Sequence, residues 1–197
     1  MEESFSQKKR NAVVSAATEL FLERGYGSVS MDSIAALAGV SKRTVYNHFQ
    51  SKELLFSEIV KDIWTTFGVP AIVYHEGADI RRDLSDYAAK CLVMLRSERY
   101  TKLLRLVLGE SGRFPELKAV YSENGIRSLL DSVGDYLKTT GKPIGDIPLA
   151  AQQYLGMIKE ALFWPVLLGI LPMPSPERDR YVIEDCTEKF GRLYNLF

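Results

Sequence analysis

The sequence predicts an all-α fold in two parts, a small N-terminal group of short helices and a larger C-terminal helical domain. Three observations predict it. Apolar residues recur at three- and four-residue spacing almost throughout, the period of helices with one buried face. Nowhere does the alternation or the tight-turn signal of paired strands stand out. Proline is absent before Pro70 and then occurs eight times, mostly where a helix would begin or end. With 197 residues, 46% apolar and 25% charged, the chain is long enough to bury a core and ordinary in composition for a globular protein.

The first helix is expected over residues 7–24, where Val13, Val14, Ala17, Leu20 and Phe21 form one stripe and Gly25 follows as a terminator. Ser30 is an N-cap for the second helix, Asp32 suits the positive end of its dipole, and Gly39 ends it with the positive φ a tight turn needs. A third helix follows from Ser41 to about Phe49. Ser51 caps a fourth, over 52–68, which stops before Pro70. The domain boundary is placed here, 1–52 against 53–197. Longer helices are expected near 79–97, 98–111, 114–140, 147–170 and 176–196. Pro115, Pro148 and Pro176 each fall in a first turn, where a missing N–H is harmless, and Pro165 should kink the helix that contains it.

The third helix raises a question of charge. In SKRTVYNHFQSKELLF, residues 41–56, Lys42 and Arg43 occupy the first two helical positions. Cations there oppose the helix dipole by about 0.3–1 kcal/mol each. The cost makes sense if the partner is an anion. Two short helices joined by a tight glycine turn form a helix-turn-helix, whose second helix enters the DNA major groove N-terminus first. Free N–H groups, Lys42 and Arg43 would then meet phosphates and guanine edges. Thr44 suits phosphate or a thymine methyl. Ser30, Ser41, Tyr46, His48 and Lys52 complete the expected DNA-binding set. Against this stands the plainer reading that basic residues near a helix start are simply solvated. Net charge is zero, and residues 1–52 carry only seven cations against five anions, so overall charge decides nothing.

GVSKRTVYNHFQSKELLF, preceded by ATELFLERGYGSVSMDSIAALA, resembles the DNA-binding domain of TetR-family transcriptional regulators, almost without gaps over residues 8–56. Many members have glycine where Arg43 stands and proline where Gln50 stands, a departure that bears on sequence preference rather than fold. RLVLGESGRFPELKAVYSENG further resembles the C-terminal domain of the AefR-like branch. The resemblance implies an all-α regulator: an N-terminal helix-turn-helix domain plus a helical ligand-binding and dimerisation domain. It also implies a homodimer through the last two helices, and a repressor that leaves a double-stranded DNA operator when a small-molecule effector binds.

The C-terminal half supports the dimer in its own terms. Residues 149–171 are apolar on more than one face, with Leu155, Ile158, Leu162, Phe163, Trp164 and Leu167, so the helix must be enclosed, either by a partner subunit or by its own chain. Trp64, Phe67, Tyr87, Cys91, Met94, Leu108, Tyr154 and Met157 are candidates to line a ligand pocket, although aromatics and methionines at helical spacing also describe plain core. Glu110 and Arg113 are either ligand-orienting groups or a helix-end pair. Cys91 and Cys186 lack metal-ligand spacing and read as buried free thiols rather than a disulfide. No phosphate loop, nucleophile elbow or zinc motif is present, and His75-Glu76 alone makes no site, so neither an enzyme nor a cofactor is expected. The opening MEESFSQKKR lacks a leader's apolar core, and the run 161–176 is too short and proline-broken to span a membrane, so a cytoplasmic location is expected. The remaining alternatives are an activator, an architectural DNA-binding protein, or a small-molecule-binding protein with a vestigial helix-turn-helix.

Overall fold

The computed structural model describes residues 4–66 and 71–197. Helices run α1 (Phe5–Arg24), α2 (Met31–Ala38), α3 (Lys42–His48), α4 (Lys52–Thr66), α5 (Ile80–Leu95), α6 (Glu98–Glu110), α7 (Glu116–Tyr121), α8 (Arg127–Thr139), α9 (Ile147–Leu162), α10 (Trp164–Leu167) and α11 (Pro176–Leu193). The all-α expectation holds: no strand occurs among the described residues. The last two residues of the fourth helix as expected, 67–68, lie outside the described residues. Three other differences have local causes. The helix expected over 114–140 is interrupted by a π turn, Ser122–Ile126, between α7 and α8. The helix expected over 147–170 ends at Leu162, because Pro165 cannot donate to the carbonyl four residues back, and only the short α10 follows. The final helix stops at Leu193, three residues early, and Asn195 takes a positive φ of 49°.

The chain packs as two compact units, Met1–Thr66 with Glu98–Gly125, and Phe67–Ser97 with Ile126–Phe197. The first unit extends beyond residue 52, because α4 and α6 pack with α1, and α7 packs with α4 and α6. Its core is built from Val13, Ala17, Leu20 and Phe21 of α1, Ile34 of α2, Val45 of α3, and Leu55, Phe56, Ile59 and Ile63 of α4. Tyr26 wedges its ring among Phe21, Phe56 and Phe114, with centroids 5.2, 5.6 and 5.1 Å away. Offset and edge-on geometries of this kind suit the aromatic quadrupole.

In the second unit α9 packs against α8, α11, α5 and α10. Leu155, Ile158, Leu162 and Phe163 are all buried within the single chain. The chain's own helices therefore cover much of α9, while Leu149 at its start is exposed and Trp164 and Leu167 beyond its end are half-buried. The Tyr154 hydroxyl donates to the Leu84 carbonyl at 2.7 Å and meets the Thr187 hydroxyl at 3.0 Å, so its burial leaves no polar atom stranded. Arg96 closes the end of α9. Its guanidinium donates twice to the Leu162 carbonyl, at 3.2 and 2.7 Å, and twice to the Asp179 carboxylate, at 2.6 and 3.1 Å. Cys91 and Cys186 are free and buried, and burial pushes the Cys91 thiol up to about 12.

Candidate nucleic-acid interface

The turn between α2 and α3 is set by local chemistry. Ser30 and Ser33 form a reciprocal capping box at the start of α2. Gly39 takes φ 65°, the left-handed conformation that glycine adopts at little cost, and its N–H returns to the Ala35 and Ala36 carbonyls. Two residues later the Ser41 hydroxyl accepts the Thr44 N–H at 3.1 Å and starts α3. Val45 and Phe49 are buried and anchor the helix, which turns its remaining side chains outward.

The eight DNA-binding candidates differ in exposure and in the partners they have within the chain. Lys42, Arg43 and Tyr46 are exposed on α3. Lys42 forms an ion pair with Asp32 of α2, at 2.8 Å to one oxygen and 3.0 Å to the other, and this pairing holds its ammonium above the ordinary lysine range. Asp32 thus eases the charge conflict at the α3 N-terminus while leaving Lys42 in solvent. Arg43 has no ion pair or hydrogen bond among the described residues. Thr44 is half-buried with its hydroxyl 2.8 Å from that of Ser41, and His48 is half-buried at the end of α3. The hydroxyls of Ser30 and Ser41 are engaged in capping, though both residues are exposed.

Lys52 requires a correction. It stands at the first position of α4, but its ammonium turns inward and donates to the Tyr26 carbonyl at 2.6 Å and the Val29 carbonyl at 2.9 Å, lying 4.1 Å from the Tyr26 ring centroid. Burial draws its pKa down, opposed by the nearby carboxylates of Glu110, Glu53 and Glu116. In the single chain its ammonium is thus engaged by two carbonyls and a ring. One further residue, not among the candidates, lies beside them. Asn47 is exposed one turn after Arg43, on the face shared by Arg43 and Tyr46. The i, i+4 spacing and an amide suited to adenine would have pointed to it.

The eight pocket candidates are not all brought together, although five of them share the second unit. Tyr87, Cys91, Met94 and Tyr154 belong to the packed core of the second unit, with Met157 half-buried. The Tyr87 hydroxyl donates to the Leu129 carbonyl at 3.2 Å. Trp64 lies in the first unit, edge-on to Tyr100 at 5.7 Å. Leu108 is 63% exposed, because α6 buries Leu103, Leu104, Leu106 and Val107 and faces the next residue outward. Phe67 lies outside the described residues. A separate cleft of ≈ 750 Å³ in the second unit is lined by Ala89, Leu92, Val93, Arg96, Met173 and Ile183 among others, and includes no residue from the candidate set. Glu110 proves to be neither a ligand group nor paired with Arg113. Its carboxylate accepts the Tyr26 N–H at 2.9 Å and the Gly27 N–H at 2.7 Å.

Comparison with known proteins places these features in company. Residues 13–59 match the family described as bacterial regulatory proteins, tetR family, and residues 82–196 match the AefR-like transcriptional repressor C-terminal domain. The HTH-type transcriptional activator FasR of Mycolicibacterium smegmatis is 43% identical over 54 residues, 27% of this chain and 25% of that protein. The HTH-type transcriptional regulator UidR of Escherichia coli is 29% identical over 121 residues, 58% of each chain. The matched stretch thus spans from a quarter to just over half of these relatives' lengths. Among solved structures, the flavonoid-responsive regulator FrrA superposes with a TM-score of 0.83 at 30% identity, covering 94% of this chain and 96% of its own. A TetR-family regulator from Pseudomonas syringae pv. tomato superposes with a TM-score of 0.75 at 31% identity, covering 95% and 97%.

Proposed function

Since this chain belongs to the TetR family of transcriptional regulators, which are not enzymes, we propose that it is a ligand-responsive repressor that binds a (pseudo)palindromic operator as a homodimer. The observation that carries the reading is the N-terminus of α3, where a glycine turn presents Lys42 and Arg43 to solvent with Tyr46 and Asn47 on the following turn. In this proposal residues 1–52 act as the reading head and 53–197 as the ligand-binding and dimerisation part. Arg43, Tyr46 and Asn47 read base edges, and Lys42, with the cap residues Ser30, Ser41 and Thr44 and the ring of His48, meets phosphate.

A homodimer through the segments expected as the last two helices, 147–170 and 176–196, is supported by Leu149, Leu168, Ile170, Tyr181 and Leu193, large apolar side chains that are all exposed in the single chain. Two heads on half-sites about 34–36 Å apart would then read one operator. Among the described residues no helix is long and apolar enough to cross a membrane, and the protein acts in the cytoplasm, where the chromosome is. The effector is a small molecule taken up by the second unit, among Tyr87, Cys91, Met94, Tyr154 and Met157. Because FrrA is named for its response to flavonoids, planar aromatic compounds are the first class to test.

The sign of regulation is proposed from the C-terminal match to an AefR-like repressor. The match to the activator FasR covers only 54 residues, 27% of this chain, and does not set the sign. The test is a titration of the full chain against fragments upstream of its own gene at two salt concentrations, with random DNA as competitor. Competitor-resistant binding with a two-fold symmetric footprint, released by an aromatic effector, is expected. Binding no tighter than to random DNA in a genome-wide fragment selection would sink the proposal.

A further inference from the structure

We infer that Glu110 and Lys52 are positioning residues that aim the DNA-reading helices by clamping the Gly25–Val29 loop from both sides, an inference that rests on the DNA-binding reading above. The loop is the link between α1 and α2, so its path decides where the α2–α3 pair points. Four of its backbone polar groups are held by two side chains of opposite charge. Glu110, the last residue of α6, takes the N–H groups of Tyr26 and Gly27. Lys52, the first residue of α4, donates to the carbonyls of Tyr26 and Val29. Charge-assisted hydrogen bonds are roughly twice as strong as neutral ones. Here they converge on a segment with no regular structure of its own.

The glycines complete the fit. At Gly25, with φ 82°, a methyl group would collide with the Glu110 carboxylate. At Gly27 it would stand 2.8 Å from the Phe114 ring, which itself packs on Tyr26. RGYG before α2 and ESGRF after α6 are therefore two halves of one joint, more than eighty residues apart in sequence. Hydrogen bonds that only stabilised the unit would leave the aim of α3 unchanged when weakened. A clamp makes DNA affinity depend on side chains that never touch DNA.

The test measures operator binding by the full-length wild type, Glu110→Gln, Lys52→Ala and Lys42→Ala across a range of salt, well below the melting temperature and with active fractions determined by stoichiometric titration. Glu110→Gln retains one acceptor and faces the second N–H with an amide donor. It and Lys52→Ala are expected to weaken binding by about tenfold, the scale of one lost charge-assisted bond. The salt slope should stay at the wild-type value, because no phosphate contact is removed. Lys42→Ala should lower that slope by about one. A slope lowered by about one in Lys52→Ala would put its ammonium on phosphate and overturn the inference. Wild-type affinity in both clamp variants would overturn it as well.

Amide exchange offers a readout that needs no variant to fold. The Tyr26 and Gly27 amides should be protected in the wild type, and fast exchange there would refute the clamp. If the wild type binds no DNA in a salt-dependent way, the DNA-binding reading falls first and the inference with it. Wild-type binding with indifferent clamp variants removes only the inference.

Discussion

Helices α3 and α11 begin alike and are charged oppositely. In each, a serine hydroxyl accepts the N–H three residues on, Ser41 from Thr44 at 3.1 Å and Ser175 from Arg178 at 3.2 Å. The first turn of α11 then carries Glu177 and Asp179, as the helix dipole favours, and Asp179 is bound by Arg96. The first turn of α3 carries Lys42 and Arg43 and no acidic residue. One start is arranged for stability inside its own unit. The other keeps an unfavourable charge in solvent, softened only by the exposed Asp32. The difference teaches that the cationic start of α3 is meant for an anion from outside the chain.

The largest effect should come from breaking the stabilising start. Arg96 and Asp179 have side chains only 13% and 21% exposed. Arg96→Ala leaves a poorly solvated carboxylate and an uncapped Leu162 carbonyl, so it should cost about 3 kcal/mol of unfolding free energy in a urea titration. A loss below about 1 kcal/mol would make it no more than a surface pair and undo the contrast with α3.

Substitution at the functional start should move binding and stability in opposite directions. Arg43→Ala should cost about 1–3 kcal/mol at one operator base pair and relax the preference there. Arg43→Glu should abolish operator binding yet raise unfolding stability by about 0.3–1 kcal/mol, because an acid suits that dipole end. If Arg43→Glu instead destabilises the fold, the arginine is serving the protein rather than a ligand.

The smallest effect belongs to pH. Glu177 is held below the usual carboxylate range by its own backbone N–H and by Ser175. A depressed folded pKa contributes stability that is present above the unfolded value, about 4.3, and lost as pH falls through the lower folded one. Acid unfolding of Glu177→Gln should therefore show a slightly shallower loss of stability below pH about 4 than the wild type. Lys42 of α3 has no such transition in that window. Identical acid profiles for variant and wild type would mean that the α11 dipole site contributes nothing measurable.

Much of the fold was legible because its signals are short-range. Ser30, Gly39, Ser41, Pro165 and Pro176 act within four residues along the chain, and each does in the structure what its chemistry requires. The exposed cations of α3 were legible for the same reason, since their positions follow from the cap. Leu108 was misplaced because a run of apolar residues on α6 does not say which of them faces outward. What encloses α9 was left open, because apolar periodicity does not say which helices pack on it, and in the fold these are α5, α8, α10 and α11.

The sequence by itself determined the helices, the glycine turn, the capped and cationic start of α3, and the family to which they belong. It could do so because capping, dipole and periodicity act between residues a turn apart. Only the tertiary structure decided where Lys52 and Glu110 point, one to carbonyls 26 and 23 residues away and the other to N–H groups 84 and 83 residues away. It also decided that Arg96 closes α9 and binds Asp179. A charged side chain at a helix end reads the same whether it faces solvent or a carbonyl. What separates the two outcomes is a partner brought near by folding, which local chemistry does not encode.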